Sequence, residues 1–167
     1  MRSLRPIAFA ATMCAALFVA GLLAQPAFAD EPLVGTWKVV SWVMDDLYTK
    51  EQKPYFGQHP QGFAIFTADK HFMILITAEG RQGGQTEADR ARNFMTSYAT
   101  AGTYRVEGSK YFLTIEVSQG PALVGSVAER DFKIEGNRMT VTTAPERTAA
   151  VEGHMTQSTL VWEHVAP

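Results

Sequence analysis

Cysteine is almost absent from this sequence of 167 residues. The one cysteine, Cys14, lies inside an apolar run near the N-terminus. If that run is removed on export, the mature chain has no thiol, which excludes disulfides, thiolate catalysis and cysteine metal sites. A lipid anchor on Cys14 is also disfavoured, because Ala11-Thr12-Met13 precede it in place of the expected leucine and the apolar run continues beyond it.

The chain also lacks a basic cluster and any motif typical of a metal or catalytic site. Phosphate binding needs clustered Lys and Arg, so nucleic acid is excluded as a partner. The four histidines, His59, His71, His154 and His164, show neither His-x-His nor His-x-x-x-His spacing, so we expect no metal and no cofactor. No nucleophile elbow or phosphate-binding glycine loop is present. Enzymatic activity is therefore the less favoured class, although a barrel can build a site from scattered residues.

The N-terminus has the order of a secretory signal peptide. Arg2 and Arg5 form a short positive region, and an apolar run extends from about Ile7 to Leu23. A helix breaker then precedes Ala27-Phe28-Ala29, which fits the small-x-small rule for cleavage. The alternative is an uncleaved anchor, since the apolar run is nearly long enough to span a bilayer. We expect residues 1–29 to be removed as a signal peptide.

Cleavage leaves 138 of the 167 residues, enough for one domain with a hydrophobic core over residues 30–167. Loss of Arg2 and Arg5 leaves 13 basic against 17 acidic residues, a net charge of −4. No second apolar run is long enough to cross a bilayer, so no membrane span is expected after cleavage. The predicted location is the periplasm or the extracellular medium.

An apolar–polar alternation with a period of two dominates the rest of the chain and predicts strands. Eight strands are expected, over residues 36–44, 62–67, 71–78, 103–107, 110–118, 127–135, 138–143 and 156–165. Gly108-Ser109 and Gly136-Asn137 are two-residue turns that join consecutive strands as hairpins. Thr86 is a good N-cap for a helix from Glu87 to about Ala99, which packs through Phe94, Met95 and Tyr98.

This order of elements predicts an all-β fold. Eight antiparallel strands in a meander tend to close, because closure removes exposed edges. We therefore expect an eight-stranded antiparallel up-and-down barrel with one helix inserted between strands 3 and 4. Its interior would be just wide enough for one small ligand. In the first strand, the alternation assigns one face to Trp37, Val39, Ser41 and Val43, and the other to Val40, Trp42 and Met44.

Five segments share their sequence and their order with one known family. They are Leu33–Trp42, which contains the Gly-x-Trp triplet Gly35-Thr36-Trp37, and then Tyr55–Gly57, Gln61–Asp69, Tyr98–Tyr104 and Leu160–Trp162. Together they resemble the bacterial and fungal lipocalin-like domain family of small barrels. The resemblance covers nearly the whole of the mature chain and implies a lipocalin-like barrel. It does not imply one ligand, because this fold carries many functions.

The resemblance also implies a structural role for Gly35 and Trp37, with Trp37 closing one end of the barrel. Two positions depart from the family. Lys70 stands where the family hairpin usually has glycine, and the chain ends in Trp162-Glu163-His164 where the family often has Trp-x-Arg. Lipocalins pack an arginine across the signature tryptophan, and here either Arg130 or Arg105 is available for that contact.

Arg130 is the most informative polar residue. It shares a strand face with Ala128, Phe132 and Ile134, whereas its neighbours on the other face are charged, so it is expected to point inward. A buried guanidinium must be paired. It either stacks on Trp37, pairs with an inward acid such as Glu116, or receives the anionic head group of a ligand.

Four further residues are predicted ligand contacts. Tyr55 and Phe56 belong to a long loop, residues 45–61, that either covers the barrel mouth or only folds onto the rim. His71 alternates with Met73 and Leu75 and is expected to point inward, as a structural histidine or a general base. Tyr104 is the fourth.

The function that we predict is an exported lipocalin-like protein that binds a small apolar or amphipathic molecule inside the barrel. One alternative is a small enzyme of the isomerase, cyclase or dehydratase type, which would require an inward His–carboxylate or Tyr–carboxylate pair. The other is a barrel filled by large inward residues that acts through an exposed apolar surface in the envelope. The residues expected to fill it are Phe66, Phe112, Phe132 and Trp162. The sequence leaves the oligomeric state open.

Overall fold

The computed structural model describes residues 31–147 and 153–166. The predicted signal peptide, residues 1–29, lies outside the described residues. Within the described ranges, no helix is long and apolar enough to cross a membrane.

The described chain forms one closed antiparallel barrel. Its strands are β1 (Gly35–Asp46), β2 (Gln52–Pro54), β3 (Gln61–Phe66), β4 (His71–Thr77), β5 (Ser97–Glu107), β6 (Lys110–Ser118), β7 (Val127–Glu135), β8 (Arg138–Thr143), β9 (Glu146–Arg147) and β10 (Met155–His164). Helix α1 spans Glu87–Met95, and a 3₁₀ turn spans Pro121–Leu123. The eight long strands pair in chain order and β10 pairs with β1, while β2 and β9 are short additions. The predicted eight-stranded barrel, with one helix after its third long strand, is confirmed.

The tight turns adopt the backbone conformations that their residues favour. Gly108 and Gly136 have φ values of 61° and 62°, in the left-handed region where glycine meets no steric penalty. Lys70, at the position where the resemblance leads us to expect glycine, adopts a φ of 70°. Its ammonium pairs with Glu31 and lies 5.4 Å from the centre of the Tyr104 ring. These contacts help to offset the left-handed penalty of about 1–2 kcal/mol.

The boundary between helix and strand differs from the prediction. Helix α1 ends at Met95 instead of about Ala99, and β5 begins at Ser97 instead of Thr103. Tyr98 pairs with Ile76 of β4, so long-range strand pairing overrides the helical pattern. The predicted packing face of the helix is also wrong, because α1 has no buried residue and Phe94 and Met95 are exposed.

A β-bulge changes the faces of β1. The pairing with β10 shifts between Val39 and Ser41, so that one extra residue stands in β1. The predicted assignment of faces is therefore wrong beyond Val39. Trp42 and Met44 point inward, as Trp37 and Val39 do, because the bulge reverses the alternation once.

One half of the barrel interior is filled by its own side chains. At the end where β1 begins and β10 ends, the core is mainly aromatic and includes Leu33, Trp37, Phe66, Phe72, Tyr104, Met139 and Trp162, all buried. The indole N–H of Trp37 donates a hydrogen bond of 2.8 Å to the carbonyl of Leu33. This pairing satisfies a buried donor, so Trp37 closes this end of the barrel. Below, it is called the closed end.

Candidate functional site

The other half of the barrel encloses a cavity of about 450 Å³. The cavity opens between the Pro121–Leu123 turn and the segment 144–146, where Leu123, Pro145 and Glu146 line it and are exposed. This end lies opposite the closed end. A void of this size falls within the range of small-molecule sites, about 300–1,000 Å³.

The cavity lining combines an apolar surface with a row of polar side chains. Aliphatic side chains form the apolar surface. Ile74 and Ile76 belong to β4, Leu113 and Ile115 to β6, Val141 to β8 and Leu160 to β10. The polar side is a row on adjacent strands, from Tyr111 on β6 through Arg130 on β7 and Thr143 on β8 to Ser158 on β10. Trp42, Tyr98, Ala128 and Glu129 also line the cavity. This arrangement suits a molecule that is largely apolar with one polar group.

Arg130 points into this cavity, as the alternation of β7 predicts. It lies directly opposite Tyr111 on one side and Thr143 on the other. Its Nη1 donates a hydrogen bond of 2.8 Å to the carbonyl oxygen of Glu129. Within residues 31–147 and 153–166, no carboxylate forms an ion pair with this guanidinium. The half-buried cation therefore has free donors toward the cavity.

The acids near Arg130 are engaged elsewhere or stand apart. The Glu129 carboxylate pairs with Lys110 on the outer surface. Glu116 is exposed on the outer face, where it accepts a hydrogen bond of 3.3 Å from the Thr103 hydroxyl. The predicted partnership of Arg130 with Glu116 is therefore wrong, because Tyr111, Leu113 and Ile115 are the inward residues of β6.

Burial raises the pKa of two phenols that line the cavity, Tyr98 and Tyr111, and the positive charge of Arg130 opposes this rise in both. Glu146 at the mouth adds to the rise in the pKa of Tyr98. Both phenols are therefore neutral at neutral pH and can donate hydrogen bonds. Together with Arg130 they give the cavity a set of donors.

His164, and not an arginine, packs against Trp37. The two rings meet edge to face with their centroids 4.8 Å apart. Arg130 lines the cavity away from the closed end, and Arg105 lies over the outward Phe112 ring at 3.9 Å. The prediction that Arg130 or Arg105 covers Trp37 is therefore wrong, since the final strand supplies a histidine at that position.

Tyr55 and Phe56 form part of the barrel wall. Phe56 is buried, and its carbonyl accepts a hydrogen bond of 2.9 Å from the Glu79 amide. Both rings pack on Trp42, with centroids 4.8 Å away for Tyr55 and 5.2 Å for Phe56. Neither residue lines the cavity, but both support Trp42, which does. The loop therefore helps to position a cavity residue.

The structure places the other two predicted ligand contacts away from the cavity. His71 is exposed on the outer face, because Phe72, Ile74 and Ile76 are the inward residues of β4. Its Nδ1 lies 3.3 Å from the Asp69 carboxylate. The expectation that His71 points inward is therefore wrong. Tyr104 points inward but belongs to the closed end, where its hydroxyl donates a hydrogen bond of 3.0 Å to the Thr67 carbonyl.

A His–carboxylate pair that the sequence analysis missed lies at the rim of the open end. Asp46 Oδ2 and His154 Nδ1 are 2.9 Å apart, although 108 residues separate them in the sequence. The other carboxylate oxygen of Asp46 accepts hydrogen bonds from the Tyr48 and Thr49 amides at 2.8 and 3.0 Å. The hydrogen bond from His154 and these amide bonds hold the pKa of Asp46 well below its ordinary value. Neither Asp46 nor His154 lines the cavity.

The outer face carries a patch of exposed apolar side chains. Phe63, Ile65, Met73 and Leu75 lie on the neighbouring strands β3 and β4, and Val117 lies on β6, which β5 separates from β4. All five are 40–66% exposed. Phe112 also faces outward, opposite the inward Tyr111, so its predicted inward position is wrong. Phe66 and Trp162 are buried and Phe132 is half-buried, as the filled-barrel alternative expects. That alternative also requires a closed interior, and the cavity does not meet this requirement.

Two further observations concern metal binding and buried polar atoms. Within residues 31–147 and 153–166, no group of three or more His, Cys, Asp or Glu side chains is arranged to hold a metal ion. In the same part of the chain, the indole N–H of Trp42 and the hydroxyl of Thr100 are buried without a hydrogen-bond partner.

Comparison with known proteins places this architecture in one family. No curated protein matches the chain. A family model described as a lipocalin-like domain matches residues 34–165, which include all eight long strands of the barrel. The chain belongs to the lipocalin-like domain family.

Proposed function

We propose that this protein binds a small, largely apolar molecule inside the barrel. The observation that carries the proposal is the cavity of about 450 Å³, walled mainly by aliphatic and aromatic side chains and open at one end. Each Å² of apolar ligand surface removed from water contributes about 25 cal/mol. Such a cavity, with a few convergent polar groups, is the usual design of a small-molecule site.

The division of the barrel interior supports this proposal. Bulky residues such as Phe66 and Phe72 fill the closed end. Small residues of the open half, such as Ala128 and Ser158, leave space among larger neighbours. A barrel that only needed a stable core would fill this half as well, because a void forfeits packing contacts.

We further propose that the protein is exported to the periplasm or the extracellular medium. The basis is the sequence of residues 1–29, with its positive start, apolar run and small-x-small site.

Acid–base catalysis is a second candidate function because of the Asp46–His154 pair. A carboxylate that holds an imidazole is a recurring arrangement in catalysis. However, both residues lie outside the cavity lining, and Asp46 also closes the turn at Tyr48 and Thr49. Binding without chemistry is therefore favoured.

A blocked cavity tests the binding proposal. Ala128 lines the cavity, so the Ala128→Phe variant places a phenyl ring inside it. The neutral fluorescent probe N-phenyl-1-naphthylamine should bind the wild-type protein at one site and bind this variant at least about tenfold more weakly. Ala91→Phe, on the exposed helix α1, is the matched control and should bind as the wild type does. Equal binding by both variants, or no binding by the wild type, would contradict the proposal.

A further inference from the structure

We propose that the ligand of the cavity is an amphipathic anion whose oxyanion head group, a carboxylate, sulfonate or phosphate, is held by Arg130 beside Tyr98 and Tyr111. This inference rests on the proposed function and specifies the ligand class of the same cavity. Its basis is the position of one guanidinium on a mostly apolar surface, in which the other charged residues are Glu129 and Glu146.

The first step of the argument is the orientation of Arg130. It stands in the inward row of β7, between Ala128 and Phe132, with Tyr111 and Thr143 directly opposite on the two neighbouring strands. Strand pairing on both sides fixes this position, so the side chain cannot turn to the outer face without a change of register. The positive charge is therefore a built feature of the cavity wall.

The second step is that Arg130 has no ion-pair partner among residues 31–147 and 153–166. Its guanidinium donates a hydrogen bond of 2.8 Å to a backbone carbonyl, that of Glu129. A half-buried cation without an ion-pair partner is costly in a surrounding of low dielectric constant. A bound anion would remove this cost, since bidentate hydrogen bonds between a guanidinium and an oxyanion are among the strongest in proteins.

The third step concerns the carboxylates that could repel an anion there. Glu129 directs its carboxylate to Lys110 on the outer surface. Glu146 lies at the exposed mouth, where water screens part of its charge, although that charge still raises the pKa of Tyr98. Tyr98 and Tyr111 carry neutral phenols, which can donate to an oxyanion. The surroundings of Arg130 therefore favour a negative group.

The fourth step is the position of the polar row relative to the apolar surface. The polar row lies on β6, β7, β8 and β10, whereas Ile74, Ile76 and Ile115 present hydrocarbon from β4 and β6. A ligand that uses both surfaces has a head group at Arg130 and an apolar body against the isoleucines. A wholly apolar ligand would leave the cation without a partner.

Two fluorescent probes of the same ring system give a direct test. 8-Anilinonaphthalene-1-sulfonate is anionic, and N-phenyl-1-naphthylamine is the same framework without the sulfonate. The wild-type protein should bind the sulfonate at one site and at least about tenfold more tightly than the neutral probe. Arg130→Met should weaken sulfonate binding at least about tenfold and leave binding of the neutral probe unchanged or tighter. Arg130→Lys should restore part of the sulfonate affinity, and Arg105→Met, on the outer face, should have no effect.

The outcomes separate this inference from the proposed function. If both probes bind the wild type equally, and Arg130→Met lowers neither affinity or lowers both affinities alike, the cavity binds ligands but the anion assignment is wrong. If neither probe binds, both proposals fail. Should Arg130→Met not fold, displacement of the neutral probe from the wild-type protein decides. Decanoate should then displace it at a lower concentration than decanol, and equal displacement would overturn the inference.

Discussion

His164 packs edge-on against Trp37, with the two ring centroids 4.8 Å apart and their Cα atoms directly opposite in the pairing of β1 with β10. This contact seals the closed end, where the family often places an arginine. It also explains the glycine of the signature triplet. A Cβ atom at Gly35 would lie 2.4 Å from Nε2 of His164. The glycine therefore leaves the space that the imidazole occupies.

The Gly35→Ala substitution should destabilise the barrel. The new Cβ collides with the imidazole, and the φ of 137° at this position is unfavourable for any residue with a side chain. We expect a loss of about 2–4 kcal/mol in the free energy of unfolding, measured by chemical denaturation.

The double variant Gly35→Ala/His164→Ala separates these two causes. Removal of the imidazole relieves the collision but not the backbone strain. The alanine at position 35 should therefore cost at least about 1 kcal/mol less in the His164→Ala background than in the wild type. Strictly additive effects would show that His164 does not limit the space at Gly35.

The Phe56→Ala substitution tests whether the segment after β2 is part of the barrel wall. Phe56 is 5% exposed and packs on Trp42, so its truncation should cost about 3–5 kcal/mol in the free energy of unfolding. Tyr48, in the same connection but 79% exposed, is the control, and Tyr48→Ala should cost less than about 1 kcal/mol. Equal, small losses in both variants would mean that the segment is only loosely attached.

The Asp46→Asn substitution should reduce stability in a pH-dependent way. The hydrogen bond from His154 lowers the pKa of Asp46 below its ordinary value of 3.8, so the ionised carboxylate is favoured in the folded state. Its contribution is fully present above pH 3.8 and is lost as the pH falls through the lowered folded-state pKa. The difference between wild type and variant should therefore be large at pH 7 and shrink below about pH 4.

Denaturation curves recorded at several pH values measure this difference. Asp131→Asn, an exposed carboxylate on β7, is the matched control and should show a small effect throughout. If the loss of stability caused by Asp46→Asn stays constant down to pH 2.5, the role assigned to the charge of Asp46 is wrong.

The export proposal predicts the N-terminus of the mature protein. Cleavage after Ala29 leaves Asp30 as the first residue. Intact-mass measurement of the protein from an exported fraction should give the mass of residues 30–167. Recovery of the full chain from a membrane fraction would instead support an uncleaved anchor.

The sequence predicts much of the fold because its signals are local. The bounds of β6, β7 and β8 agree with the prediction to the residue, since glycine turns flank strands of strict alternation. The position of Arg130 in the cavity followed from the same alternation, which places charged neighbours on the outer face of β7.

The misplaced residues depend on contacts between distant segments. The bulge after Val39 exists only in the pairing of β1 with β10, and no local pattern in the sequence of β1 indicates it. The outward position of His71 follows from the register of β4 between β3 and β5. The Asp46–His154 pair joins the ends of two strands more than 100 residues apart. Its one local signal was Asp46 followed by a turn, which is typical of an aspartate that accepts backbone amides.

Native mass spectrometry of the protein isolated from its own host tests the central claim most directly. The account predicts one small molecule per chain, released on unfolding and identifiable after extraction as a largely apolar compound. The Ala128→Phe variant, produced in the same host, should carry none. A protein that is empty when isolated, and that takes up no hydrophobic probe afterwards, would contradict the claim that this barrel is a binding protein.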